Sequence, residues 1–343
     1  MKVSDIGEFG LIHRLQRQID ARGLPKPGAD GLRFPLRVGI GDDAAAWETS
    51  AATELLTTDT MVEGVHFTRK PTRHGRPLAT WREVGWKSMA SNLSDIAAMG
   101  GVPQYALITL GLPQDEDPDN IDELYHGLLD ACEAYGAAII GGDIVGSPVF
   151  FITVALTGVT GSPLLLRTAA RPGDQVAVTG TLGGAEGGLR MLLEGLAFDE
   201  ATTAALLQAH LHRQPRVPEG QVLAANGVRC AMDVSDGLVD DLGKLCLASR
   251  VAARVFAHRL PLHPALRVAF PGQETALALR SGEEYELLFA APPALMARVC
   301  PLLPAGATVI GEIVAGEPGS VSVEDERGRP VQVAKGGWDH FRP

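Results

Sequence analysis

The chain has 343 residues, 45% of them hydrophobic and 21% charged, which is enough apolar material for two ordinary domains. Its 30 basic and 41 acidic side chains leave a net charge of −11, which argues against a nucleic-acid or anionic-membrane surface and suits a protein whose carboxylates bind cations. The N-terminal MKVSDIGEFG lacks an apolar signal core, and no apolar run reaches the roughly 20 residues of a membrane span. Cys132, Cys230, Cys246 and Cys300 form no CxxC pair, so a reduced, cytoplasmic protein is expected.

Phe9, Ile12, Leu15 and Ile19 recur at helical spacing, and residues 22–37 are rich in Gly and Pro and read as loop. TELLTTDT reads as a strand. Trp81, Val84, Met89, Leu93 and Ile96 then mark a long helix, and QYALITLGLP a further strand. Ile121, Leu124, Leu128, Ala131 and Tyr135 mark a second helix, followed by strands at AAIIGGD and VFFITVALTGV. Turn residues between 159 and 173 suggest a boundary, giving domains at 1–160 and 161–343. The second half restarts with the strand DQVAVTG and a glycine-rich turn, TLGGAEGG, leading into a helix. Helix continues to about Asn226; EYELLFA and ATVIGEI later read as strands around a short helix near 293–300. This alternation predicts an α+β fold with sheets layered against helices.

CAMDVSDGLVDDLGKL, at residues 230–245, concentrates the chemistry. An apolar strand ends in an acidic turn, and Leu238, Leu242 and Leu245 then fall at helical spacing. Ser235 or Asp236 is placed to cap that helix, which leaves Asp233 unexplained. Asp42, Asp43, Asp59, Asp95 and Asp143 likewise sit at the ends of apolar segments beside glycine or a hydroxyl. Any one of them alone reads as a turn or cap residue. Together, if they converge, they cannot all stay ionised without cations, and Mg²⁺ with nucleotide phosphate is the natural solution. No GxxxxGK[ST] loop and no kinase glycine-rich loop is present, and GTLGGAEGG alone is a weak phosphate signal.

GIGDDAA, TTDTMVEGVHF, KSMASNLSDIAAMG, IIGGD, VTGTLGG, DVSDGLVDDLG and SGEEYELLF occur in this order along the chain, between GEFGLI and GWDHF. In this the sequence resembles the thiamine-monophosphate kinase family, within the aminoimidazole-ribonucleotide-synthetase-like superfamily of ATP-binding proteins. The resemblance implies transfer of the ATP γ-phosphoryl group to thiamine monophosphate, in line and assisted by several Mg²⁺ ions. It also implies a homodimer joined through first-domain sheets. Carried over by motif, Asp43, Thr57, Thr58, Asp59, Asp95, Asp143, Asp233 and Asp236 are the implied Mg²⁺ ligands. Tyr135, Gly142, Asp143, Arg167 and Ser235 are the implied ATP contacts, and His66, Glu283 and Trp338 the implied contacts to thiamine phosphate. No dedicated catalytic base is implied. Against this stand plainer readings: a half-buried His66, an Arg167 that only bridges domains, a solvated Glu283–Glu284 pair, and a Trp338 that covers the core.

Overall fold

The computed structural model describes residue 10 and residues 36–38, 41–49, 52–70 and 77–333. The expected N-terminal helix at Phe9–Ile19, residues 22–35 of the expected loop, residues 71–76 and Trp338 therefore lie outside the described residues, apart from Gly10.

The first sheet is built from β1 (Leu36–Val38), β2 (Ala45–Glu48), β3 (Thr53–Val62), β4 (Val102–Leu112), β5 (Ala138–Gly146) and β6 (Phe151–Thr160). Its order is β1-β2-β3-β6-β4-β5, with β4 and β5 parallel and the other neighbours antiparallel. Strict alternation along β6 buries Ile152, Val154 and Leu156 and leaves the residues between them half-exposed, so one sheet face is the core. Two helices cover that face: α1 (Trp81–Ala98) and α2 (Pro118–Tyr135). Thr80 and Glu83 form a reciprocal capping box at the start of α1. The two helices approach so closely that a Cβ on Gly85 would lie 2.0 Å from the Leu124 carbonyl oxygen, and one on Gly127 1.8 Å from that of Arg82.

The second sheet comprises β7 (Gln175–Thr179), β8 (Cys230–Asp233), β9 (Ala252–Phe256), β10 (Leu287–Ala291), β11 (Ala307–Val314) and β12 (Val321–Glu324). Its order is β12-β9-β11-β7-β10-β8, with β12 and β9 parallel and the other neighbours antiparallel. The remaining helices are α3 (Gly184–Glu194), α4 (Glu200–Leu211), α5 (Val217–Ala225), α6 (Leu238–Ser249), α7 (Pro264–Ala269), α8 (Glu274–Arg280) and α9 (Pro293–Val299). Leu242 and Leu245 of α6 join Val178, Val255 and Ile310 of the sheet in one core. The fold is α+β, two sheet-containing halves with helices, as the alternation of elements predicts.

The first helix belongs to both halves. Its Met89, Leu93 and Ile96 pack under the first sheet, while Ala97 and Ala98 pack with Ala231, Leu287 and Phe289 of the second. A helix buried on nearly every side must satisfy its polar residues internally. Of its polar residues, Lys87, Ser91, Ser94 and Asp95 face the site, meeting Glu283, Asp59, Asp233 and Thr57 in turn, while Ser88 and Asn92 bond to groups of the helix itself.

Candidate active site

The three carboxylates of Asp43, Asp95 and Asp233 come together, with one oxygen from each within 4.8 Å of the others. They arrive from different elements: the turn before β2, the last turn of α1, and the end of β8. Thr57 donates its hydroxyl to Asp95, and Ser94 donates to Asp233 at 2.7 Å. Burial pushes the Asp95 carboxyl well up, and the charges of Asp59, Asp233 and Asp43 push it further. Asp233 is pushed up in the same way, by burial and then by Asp43.

Asp59, on β3, is near enough for its charge to raise Asp95. Asp59 is itself raised by burial and by Asp236, while a hydrogen bond from Ser91 opposes the rise. Alternation along β3 sends Thr57 and Asp59 to the helix-covered face. Thr58 is directed to the other face, where its hydroxyl donates to the Val154 carbonyl at 3.0 Å. Asp143 stands on the exposed edge strand β5, opposite Thr109, and accepts from the Ile144 N–H at 2.9 Å. The structure therefore brings together Asp43, Thr57, Asp59, Asp95, Asp233 and Asp236, and does not bring the side chains of Thr58 and Asp143 to them. Gly142 pairs with Ile108 on β4, and a Cβ there would meet the Ile108 carbonyl oxygen at 1.8 Å.

Arg167 reaches back from the segment between the sheets. Its guanidinium donates to both oxygens of Asp43 and lies 3.6 Å from Asp42, so it does bridge the halves. Burial acts to lower its pKa, but Asp43 and Asp42 outweigh that and hold it charged. Burial and the neighbouring Asp43 lift Asp42 to about 7, against the pull of Arg167.

The acidic turn is held by a residue that motif reading passed over. Neither Ser235 nor Asp236 caps α6. Instead Asp241, inside the first turns of that helix, reaches back and accepts from the backbone N–H groups of Ser235, Asp236 and Gly237 at 2.9, 2.9 and 3.1 Å. Gly237 takes φ +123°, a conformation that favours glycine, and a Cβ there would also meet the Arg280 carbonyl oxygen at 2.8 Å. Lys244 bridges Asp236 and Asp241. Burial lifts Asp241 to about 6, with Lys244 opposing. The signal is present in the sequence: DVSDGLVDDLG holds four acids, and the motif gives work only to the first two.

The segment Ser281–Glu286 supports the turn from the other side. The Glu283 N–H donates to the Ser235 carbonyl at 2.6 Å and the Tyr285 N–H to the Val234 carbonyl at 2.9 Å. Glu283 and Tyr285 both adopt positive φ, +55° and +54°, a strained state for side chains of this size that surrounding contacts must maintain. Glu284 supplies such contacts, accepting from the Gly183 and Ala185 N–H groups and from Ser281. The glycine-rich N-terminus of α3 is thus occupied by a protein carboxylate, which accounts for GTLGGAEGG without phosphate. Burial lifts Glu284 to about 7. Glu283 and Glu284 are both engaged, not a solvated pair.

Glu283 itself meets two cations, Lys87 Nζ at 2.7 Å and Arg213 Nη2 at 3.4 Å. Burial acts to raise its carboxyl, but Lys87 and Arg213 outweigh this and hold it at about 2. His66 is half-buried; its Nδ1 accepts from the Val62 N–H at 3.0 Å and its carbonyl accepts from Lys87 at 3.0 Å. Tyr135 packs against Trp86 at the end of α2, and burial lifts its phenol to about 12.

Residues 41–160 match the model of the AIR synthase related protein N-terminal domain, and residues 171–324 that of the C-terminal domain. Thiamine-monophosphate kinase of Aquifex aeolicus (strain VF5) is 35% identical over 344 residues, covering 99% of this chain and all of that one. The chain belongs to the thiamine-monophosphate kinase family. The relatives of that name from Escherichia coli (strain K12) and Bacillus subtilis (strain 168) are 34% and 31% identical, each over 98% of this chain and 98% and 99% of their own. A solved structure described as AaThiL complexed with AMPPCP and TMP superposes with a TM-score of 0.84 at 34% identity, covering 99% of both chains. The hydrogenase maturation protein HypE, at 19% identity and a TM-score of 0.67, shares the fold. The match to this family extends across both halves of the chain.

Proposed function

We propose that the protein transfers the γ-phosphoryl group of ATP to the phosphate of thiamine monophosphate, giving thiamine diphosphate and ADP. The observation that carries the reading is the convergence of Asp43, Asp95 and Asp233 from both halves of a chain in this family. AMPPCP, an analogue of ATP, and TMP, which we take as thiamine monophosphate, are the ligands of the related complex, and they support ATP and thiamine monophosphate as the substrates here.

The donor set fits Mg²⁺. All its groups are hard oxygens, and buried carboxylates this close are raised so strongly that a cation is needed to keep them ionised at neutral pH. Asp43, Asp59, Asp95, Asp233 and Asp236, with Thr57, would hold the metal. Bound there, Mg²⁺ would supply charge neutralisation between the phosphates of donor and acceptor.

The chain's own part is positioning. A phosphate oxygen of the acceptor is already anionic, so no side chain has to remove a proton from it. What the protein must do is hold two polyanions in line, a matter of alignment and fixed charge. Ser235 within the acidic turn and Arg167 on Asp43 are proposed to contact ATP, with Tyr135, Gly142 and Asp143 as further nucleotide contacts. His66, Glu283 and Trp338 are proposed to contact thiamine phosphate. The proposed domains are residues 1–160 and 161–343. The sheet face opposite α1 and α2 leaves Leu56, Tyr105 and Leu107 at 41%, 51% and 48% exposure, an apolar surface that supports a homodimer through this face. Among the described residues no helix is long and apolar enough to cross a membrane.

ADP release with ATP, Mg²⁺ and thiamine monophosphate tests the reading. Turnover that depends on the acceptor supports it; release indifferent to the acceptor, or none, refutes it.

A further inference from the structure

Lys87 is buried at 3% exposure in the middle of α1 and has no place among the residues that the motifs assign. Its ammonium group meets two of the proposed acceptor contacts at once. It lies 2.7 Å from Glu283, which belongs to the second half of the chain, and donates at 3.0 Å to the carbonyl of His66, which belongs to the first. We propose that Lys87 is the positioning residue of the acceptor site, fixing His66 and Glu283 relative to each other across the two halves of the chain.

The surrounding geometry gives the tie a direction. The Glu283 side chain keeps 32% of its surface exposed, whereas Lys87 and Arg213 behind it keep 4% and 1%. The carboxylate is thus clamped from its buried side and presents the remainder outward. The backbone of Glu283 is strained at φ +55°, so its aim depends on the contacts that hold it. His210, behind the pair, is held neutral: burial lowers its pKa, and Lys87 and Arg213 lower it further. The charge facing Glu283 is therefore that of Lys87 and Arg213. Burial also lowers the pKa of Lys87, with Glu283 opposing, so each partner keeps the other ionised. An ammonium group has three donors on a compact head, which suits bonding to two acceptors at once. A carboxylate aimed in this way suits a cationic or amino-bearing acceptor such as thiamine phosphate, and to that extent the inference rests on the proposed function.

The test is a double-mutant cycle of Lys87→Met, Glu283→Gln and the two combined, read as KM for thiamine monophosphate and for ATP, with thermal unfolding confirming that each variant is folded. The expected result is a rise of about tenfold or more in KM for thiamine monophosphate in each single variant, with KM for ATP within about twofold of wild type, and a double variant no more than about twofold worse than the weaker single one, since each removes the same tie. An unchanged KM for thiamine monophosphate in Lys87→Met, equal shifts for both substrates, or effects that multiply in the double variant would overturn the proposal. Should Lys87→Met not fold, Lys87→Arg takes its place, because the longer planar head displaces both contacts; the same selective rise is expected, and wild-type constants would overturn the proposal. A wild-type protein that does not turn over thiamine monophosphate refutes the functional reading and this inference with it. An active wild type with an unmoved Lys87→Met overturns this inference alone.

Discussion

Asp233→Asn separates the two tasks of the aspartate cluster, binding metal and tolerating its absence. The substitution keeps shape, and the amide oxygen can still accept from Ser94. At pH 8 without metal the native carboxylates repel: two unit charges 4.8 Å apart at an effective dielectric of about 20 cost about 3.5 kcal/mol. Asp233 has two such neighbours, Asp43 and Asp95. The wild type avoids most of that repulsion by retaining protons, so we expect about 1–2 kcal/mol of relief, an increase in Tm of a few degrees in EDTA. Mg²⁺ should act oppositely on the two proteins. At 100 times its Kd a ligand stabilises by about 2.7 kcal/mol, so the wild type should gain several degrees on adding Mg²⁺ and the variant much less. Activity should fall by more than a hundredfold, on the order of what loss of one strong electrostatic contact in a transition state removes. The assay is thermal unfolding in EDTA and in excess MgCl₂, paired with ADP release. A variant that melts below wild type in EDTA yet gains as much from Mg²⁺ would refute the argument, because Asp233 would then be a structural acid and no part of a metal site.

Without metal, stability should fall as pH rises from about 4 to 8. Asp42, Asp59, Asp95 and Asp233 have folded pKa values above the unfolded carboxylate value, Asp42 at about 7, so the native state binds more protons and its advantage is lost as pH climbs through that window. Melting temperatures in EDTA that rise across this range would contradict the shared-proton picture. Asp241→Ala leaves three backbone N–H groups of the acidic turn without their acceptor and should lower stability by about 1–3 kcal/mol and activity more than tenfold. Asp241→Asn, which keeps an acceptor oxygen, should recover most of the stability in denaturant titrations, and failure to recover would point away from the hydrogen bonds. Trp338→Ala should raise KM for thiamine monophosphate more than for ATP, since a cation over an indole face is worth about 0.5–2 kcal/mol; an ATP constant that moves as far assigns Trp338 to packing. The kcat/KM for thiamine monophosphate should rise through the phosphate pKa of about 6 and then stay level. A second ascending limb that His66→Asn removes would establish His66 as a base.

The fold was legible where periodicity is strong. The apolar, β-branched run VFFITVALTGV and the apolar repeat from Ile121 to Tyr135 gave β6 and α2. The short strands β2 and β9 carry too few residues to show a period and are held by their longer neighbours β3 and β11, and β12 in turn pairs with β9. Among site residues the aspartates announced themselves, being costly acids beside apolar strands. Thr58 shows the limit of a motif, which names neighbours without saying that β alternation points them to opposite faces. Lys87 was hidden for another reason. A lysine on a mostly apolar helix looks like a surface residue until the second half of the chain is placed over it. Asp241 was visible but had no evident task, because capping rules look outside the helix for the acceptor and here it comes from within.

One rigid helix carries both Lys87 and Asp95. Eight residues at 1.5 Å each set them about 12 Å apart along the axis. If the halves of the protein rock about their shared helix, Glu283 and Asp233 travel together while those two points on α1 keep their spacing. The helix then acts as a ruler. It measures an acceptor from the end gripped near Lys87 to the phosphate delivered near Asp95, and a molecule a few ångströms too short or too long would be bound at one end and misaligned at the other. Length would be judged without any side chain that reads it, and the judgement would appear in kcat more than in affinity.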